Sequence, residues 1–326
     1  DLKPTDLQWT LSDTGWAKAA YGKLFGQWHQ GAAVLQHDAR GRFDAGLTLG
    51  ILEKYGVTCF CAPPTAYRMM VLEDLNKYDL PHLRHCTGAG EPLNPEVMKQ
   101  WHDGTGLDIY DGYGQTETVL LVGNYRAIPI KPGSMGKPMP GFQIAIVDAE
   151  GQELPIGEEG QIAVKVKPER PVGLFREYWK DTESMERSFH GEWYFTGDKA
   201  YRDDDGYFWF VGRADDVIIS AGYRIGPFEV ESALIEHPAV AESAVVASPD
   251  PVRGEIVKAF VILAPGYVPS DELAQSLQEH VRNATAPYKY PRAIEFVSEL
   301  PKTISGKIRR VELRDAEFQK DAQPPA

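Results

Sequence analysis

Asp111-Gly112-Tyr113-Gly114-Gln115-Thr116-Glu117 is the densest set of chemically capable residues in the chain. Two glycines let a backbone approach a ligand closely, and the tyrosine between them offers a flat face for stacking. A threonine hydroxyl can bond a phosphate oxygen, and the carboxylate beside it suits Mg2+, which takes oxygen ligands. A polar loop with a capping threonine and a solvated glutamate would use the same residues, and glycine motifs often match by chance.

Four other segments carry comparable chemistry. Thr87-Gly88-Ala89-Gly90-Glu91-Pro92 puts glycines at a strand end ahead of a helix N-terminus, where an anion or a base edge can sit; a tight turn explains it equally. In Tyr194-Phe195-Thr196-Gly197-Asp198 a carboxylate at a strand end could bond both ribose hydroxyls, although a lone Asp is commonly a turn residue. Gly212-Arg213-Ala214-Asp215-Asp216 offers the forked donor of Arg213 to ribose or phosphate, or to an interface salt bridge. Pro301-Lys302-Thr303-Ile304-Ser305-Gly306-Lys307 ends in an ammonium group, and a surface lysine is usually solvated.

The elements that must position these segments change rhythm along the chain. Residues 1–135 alternate helices (about Leu47–Tyr55, Thr65–Leu75, Pro95–Asp103) with short apolar strands (Val57–Cys61, Leu83–Cys86, Leu107–Tyr110), which predicts a layered α/β sheet. Residues 136–214 read as short strands and turns, a small β-rich, barrel-like subdomain. Asp203-Asp204-Asp205-Gly206 there is the turn of a hairpin between Lys199–Arg202 and Tyr207–Val211. Residues 215–326 read as a compact α+β domain, with helices Pro227–His237 and Ser270–Thr285 around strands near Val240–Ser248 and Val257–Leu263. The predicted class is α/β overall.

Composition narrows the function. Among 326 residues, 34 Lys+Arg stand against 47 Asp+Glu, a net charge of −13. That balance argues against a general nucleic-acid binder, which needs a basic face, but allows nucleotide binding by a few local cations. Cys59, Cys61 and Cys86 are too few for a disulfide framework and lack metal-ligand spacing, so buried thiols are expected. No run reaches the ~18 apolar residues of a membrane helix. A reducing, cytoplasmic compartment is the expectation, with a mitochondrial one left open.

The order and spacing of the five segments, from about Trp9 to Lys307, resemble the adenylate-forming superfamily of acyl-CoA synthetases, luciferases and peptide-synthetase adenylation domains. Ser12-Asp13-Thr14-Gly15-Trp16, Ile225-Gly226-Pro227-Phe228-Glu229-Val230-Glu231, Asp250-Pro251-Val252-Arg253-Gly254-Glu255 and Thr285-Ala286-Pro287-Tyr288-Lys289-Tyr290-Pro291-Arg292 look like the medium-chain acyl-CoA synthetases. The resemblance implies ATP, Mg2+ and CoA, with AMP as product and a small carboxylic acid as partner substrate. By it, Gly88, Gly90, Glu91, Asp111, Gly112, Tyr113, Gly114, Gln115 and Thr116 bind nucleotide, Tyr113 by stacking on adenine. Asp198 and Arg213 take the ribose, Glu117 holds the metal, and Lys307 works with Thr116 and Glu117 in adenylation. Ala221, Gly222, Tyr223, Arg253, Arg282, Tyr290, Pro291 and Arg292 meet CoA; Trp16, Thr116 and Arg224 face the substrate; Asp215 is a hinge. Solvated surface cations and a core tryptophan remain the alternatives for Arg282 and Trp16.

The chain opens at Asp1 without Met, and the Ser/Thr/Gly-rich phosphate loop of that superfamily is not found in it. The expectation is the C-terminal part of an acyl-CoA synthetase. The alternative is a non-catalytic fragment that binds nucleotide or acyl-adenylate.

Overall fold

The computed structural model describes residues 1–12, 14–39, 43–213, 215–302 and 308–322. Its contacts form two compact units: Asp1–Thr196 with Tyr201–Trp209, and Gly197–Ala200 with Phe210 onward. The fold is mixed α/β with several sheets, one of them a half-barrel.

In the first unit a seven-stranded sheet runs in the order β2-β1-β3-β4-β5-β6-β7. Its strands are β1 (Leu7–Thr10), β2 (Ala33–Val34), β3 (Cys59–Ala62), β4 (His85–Ala89), β5 (Ile109–Gln115), β6 (Val119–Gly123) and β7 (Lys137–Pro138). The pairings among β1 to β5 are parallel, and those of β5 with β6 and β6 with β7 are antiparallel. Local signals set the helices between them. Asp44 accepts from the Leu47 amide at 2.8 Å to start helix Ala45–Tyr55, and Gly56 at φ +60° ends it. Helix Pro95–Thr105 repeats the scheme with Asn94 as cap and Gly106 at φ +71°. The expected helix Thr65–Leu75 is shorter, Pro64–Met70, and Asp74 then caps a separate turn, Leu75–Lys77. The core holds a chain of rings, with Tyr67 edge-on to Trp101 at 5.1 Å and to Phe60 at 5.8 Å. Cys86 lies fully inside this core, and burial pushes its thiol up to about 12.

The second sheet has the order β10-β11-β9-β8, with β12 beside β11. It comprises β8 (Ile144–Val147), β9 (Gly160–Lys165), β10 (Phe189–His190), β11 (Trp193–Arg202) and β12 (Phe208–Arg213). The acidic turn closes the hairpin as its composition suggests: Asp203 Oδ1 accepts from the amides of Asp205 and Tyr207 at 3.1 and 2.9 Å. Lys131 Nζ then ties this turn down, 2.6 Å from Asp203 Oδ2 and 2.7 Å from Asp205 Oδ2.

The second unit is built on β13 (Ile218–Ser220), β14 (Tyr223–Ile225), β15 (Val240–Asp250), β16 (Gly254–Leu263) and β17 (Ala293–Phe296). β15 and β16 form a long antiparallel pair, and β17 lies parallel to β16. Helices Pro227–Ile235 and Asp271–Ala284 supply Leu234, Leu277 and Val281 to a core with Val245 and Val261. A charge is buried beside this core. Glu231, 5% exposed, accepts from the Val245 amide at 2.8 Å and from Arg310 Nε and Nη2 at 2.9 and 2.6 Å. Arg310→Ala should therefore destabilise the chain by about 3 kcal/mol, because a buried carboxylate loses its counter-charge. A urea midpoint unchanged by the substitution would show that the pair contributes nothing.

Candidate nucleotide and acyl-transfer site

The two chemically loaded strands of the first unit lie side by side, with Gly88 opposite Asp111 and Ala89 opposite Gly112. β5 does not stop ahead of its motif, as expected, but runs through Gln115. The reason is β6, which pairs back on it: Gly112 faces Gly123 and Gln115 faces Val119, with a bulge between Tyr113 and Gly114. A Cβ on Gly114 would stand 1.7 Å from the Val119 carbonyl oxygen, and one on Gly112 would stand 2.7 Å from Leu120 Cδ1. Hairpin closure alone thus accounts for Gly114, whose obstacle is backbone, while at Gly112 the obstacle is the movable end of a leucine side chain. At the tip Thr116 is exposed and Glu117 half-buried, while Thr118 Oγ1 accepts from the Gln115 amide at 3.0 Å.

Side chains from elsewhere hold this tip. Gln115 Nε2 donates to the Thr196 carbonyl at 2.8 Å, and Tyr194 Oη donates to Gln115 Oε1 at 3.0 Å. Tyr178 Oη donates to Glu117 Oε1 at 3.0 Å. Beyond β4, Gly90 has φ +107°, and Lys18 Nζ and Trp16 Cζ3 lie 4.0 Å from where its Cβ would be. Lys18 Nζ also donates to the Ala89 carbonyl at 3.0 Å. Glu91 turns sideways: its Oε2 accepts from Thr65 Oγ1 at 2.8 Å and pairs with Arg68 at 3.3 Å, leaving Oε1 buried without a partner.

Asp111 is the electrostatic anomaly. It is buried, its Oδ1 has no hydrogen-bond partner, and burial pushes its pKa up to about 8. The amides of Gly112 and Leu93 and the charge of Lys18 pull the other way without prevailing.

Asp198 is not at a strand end but mid-strand in β11, just after Gly197 at φ +76°. β11 has neighbours on both sides, so pairing carries it past the predicted end. Arg213 and Asp215 are exposed; Arg314 Nη1 donates to the Asp215 carbonyl and lies 3.2 Å from Asp216 Oδ1. Lys307 lies outside the described residues.

The second unit gathers the remaining candidates. Ala221 (φ +50°) and Gly222 (φ +85°) form the two-residue turn between β13 and β14, with open space around Gly222. The Ala221 amide donates to the Arg253 carbonyl at 3.1 Å. Tyr223 stacks on Tyr288 with ring centroids 4.3 Å apart. The Arg282 and Arg292 guanidinium groups sit 4.2 and 4.9 Å from the Tyr290 ring, and Arg292 Nη1 also donates to Tyr290 Oη at 2.9 Å. Arg224 is exposed on β14 and Pro291 is buried. Lys18, Tyr178 and Tyr288 were not singled out as site residues from sequence, because each is placed by a distant partner.

The chain belongs to the AMP-binding enzyme family: the family described as AMP-binding enzyme matches residues 1–179, and the AMP-binding enzyme C-terminal domain matches residues 229–307. It is 57% identical over 320 residues to the mouse protein named acyl-coenzyme A synthetase ACSM3, mitochondrial, covering 98% of this chain and 55% of that protein. The human protein of the same name is 56% identical over 321 residues, again with 98% and 55% covered. A solved anthranilate CoA ligase, AuaEII with anthranoyl-AMP, superposes with a TM-score of 0.91 at 38% identity, covering 99% of this chain and 61% of that one. An acyl-CoA synthetase of Brucella canis gives 0.63 at 44% identity, covering 98% and 59%. The chain thus spans about half the length of its curated relatives. Their names carry a mitochondrial designation, which overturns the cytoplasmic expectation.

Two outcomes test the first half of the site. Gly114→Ala should lower stability by about 2 kcal/mol or more even without ligand, because a methyl group meets backbone that cannot swing aside; an unchanged melting temperature would return the glycine to a ligand role. For Asp111 the sign follows from its raised pKa. Between about pH 4, where the unfolded carboxyl titrates, and about pH 8 the native state holds a proton that the unfolded state has lost. Its stabilising contribution is complete below that window and falls as pH rises through it. Asp111→Asn should flatten this decline in thermal melts between pH 5 and 8; parallel curves would place the titration elsewhere.

Proposed function

We propose that this chain carries the adenylation and thioester-forming residues of an ATP-dependent acyl-CoA synthetase for medium-chain carboxylic acids, in mitochondria like its curated relatives. The substrate carboxylate attacks the α-phosphate of ATP, expelling pyrophosphate and leaving acyl-AMP; the CoA thiol then attacks the acyl carbon and expels AMP. The observation that carries the reading is the hairpin tip with exposed Thr116 and half-buried Glu117, whose strand lies directly beside the Gly88–Ala89 end of β4.

In this reading Tyr113 stacks on adenine, Thr116 and the neighbouring amides hold the α-phosphate, and Asp198 and Arg213 take the ribose. Trp16 and Arg224 border the acyl group. Lys307 neutralises charge on the transferring phosphoryl group, the main task of a protein in such reactions. Among the described residues no group of three or more His, Cys, Asp or Glu could hold a metal by itself. One carboxylate nevertheless fits Mg2+, which keeps several waters and is shared with substrate phosphates. Glu117 is that carboxylate, and no Lys or Arg among the described residues pairs with it. When bound, the metal would neutralise phosphate charge.

For the second half-reaction the open Ala221–Gly222 turn admits the thin thiol arm, with Tyr223 and Tyr290 as walls, and Arg253, Arg282 and Arg292 as phosphate partners, beside Pro291. Lys307 and that turn serve different steps, and rotation about Asp215 would present each in its turn. The test separates the steps: pyrophosphate release from ATP and octanoate, against octanoyl-CoA formation from supplied octanoyl-AMP. Made in a full-length enzyme, Lys307→Ala should slow the first by about 3–4 kcal/mol, hundreds-fold, and leave the second nearly intact. Equal loss in both would overturn the assignment. A folded sample that binds no AMP by calorimetry would overturn the reading as a whole.

A further inference from the structure

Glu117 sits half-buried in a hairpin turn, where a glutamate side chain ordinarily samples several rotamers, yet two contacts confine it. Tyr178 Oη donates to Oε1 at 3.0 Å, and the Phe175 amide donates to the Glu117 carbonyl at 2.7 Å. Phe175 and Tyr178 in turn pack with centroids 4.6 Å apart, and Phe175 lies 5.6 Å from Tyr194, whose hydroxyl holds Gln115. Two phenols of one aromatic cluster therefore grip two side chains at the same hairpin tip. Arg170 steadies the cluster from behind, donating to the carbonyls of Phe175 and Arg176 at 3.0 and 2.7 Å, with its guanidinium 4.6 Å from the Phe189 ring.

We infer that Tyr178 is a positioning residue for the metal ligand: it fixes Glu117 in one rotamer with Oε1 occupied and Oε2 left for Mg2+. The inference rests on the reading of Glu117 as the metal carboxylate. A phenol suits the task for two physical reasons. It is a single donor, so it takes one carboxylate oxygen and not both, where a bidentate arginine would take the pair. It is also neutral, so the full negative charge remains for the cation. Holding the rotamer beforehand removes an ordering cost that binding would otherwise bear.

The experiment titrates Mn2+ with ATP into the chain and follows the electron paramagnetic resonance of free and bound metal, beside AMP affinity and the melting temperature. Tyr178→Phe keeps the ring and loses only the hydroxyl. It should weaken Mn2+ retention about tenfold, the scale of one hydrogen bond to a charged group, while AMP affinity and melting temperature stay close to those of the unaltered chain. Glu117→Gln should weaken metal binding as well, and adding Tyr178→Phe to it should do nothing more. If Glu117→Gln weakens Mn2+ binding and Tyr178→Phe does not, the positioning role is wrong and the metal assignment stands. If Glu117→Gln has no effect, or the unaltered chain retains no Mn2+, the metal assignment fails and the inference with it. A loss of AMP affinity equal to the loss of metal would mark Tyr178 as merely structural.

Discussion

The carbonyl of Val119 occupies the space that any side chain at position 114 would need. Much of the proposed adenylation surface follows from that one steric fact. With glycine at 114 the two strands can close, the hairpin tip becomes short, and Thr116 and Glu117 are presented together at its end. Val119 itself adopts φ +53°, an uncommon conformation for a β-branched residue, so part of the closure is borne by its backbone. The phenols of Tyr178 and Tyr194 then act on a tip that already has few conformations. Preorganisation comes in two layers, backbone sterics beneath and side-chain hydrogen bonds above.

Buried polar groups divide by the same logic. Glu231 is satisfied on both oxygens by Arg310 and an amide, so it fastens the second unit and is not available for chemistry. Asp111 and Glu91 each keep a buried oxygen without a partner. Asp111 lies on β5 and Glu91 just beyond the end of the adjoining β4, both within the candidate site. Unpaired buried oxygens are costly, and they tend to persist where binding uses them. The second unit shows a related pattern in its cations: Arg282 and Arg292 are braced against Tyr290, which limits their freedom without neutralising them.

Much of the architecture was legible from local signals. Apolar spacing marked the helix near Ala45–Tyr55, the Pro63-Pro64 break marked the start of the next, and the acidic run at Asp203 marked a hairpin. What failed was strand length at β5 and β11. A strand continues where a neighbour pairs with it, and that neighbour is invisible in a local window. The glycines of the 111–117 motif were read as room for a ligand; their steric partners within the hairpin, Val119 and Leu120, were not visible in a local reading. Tyr178 and Lys18 escaped notice because their contacts lie 61 and 71 positions away in the chain. Every segment of the motif set was recognisable by order and spacing; the side chains that support it were not.

Cys86 has a consequence of another kind. Its sulfur is sealed in the parallel sheet, and that burial pushes its thiol up to about 12. Alkylating reagents attack the thiolate, so the folded chain offers them almost nothing at this position. The residue becomes reactive only when the sheet opens. Its labelling rate would then serve as a clock for that opening, read at a single atom from within the first unit, and oxidants meeting the folded protein would pass it by.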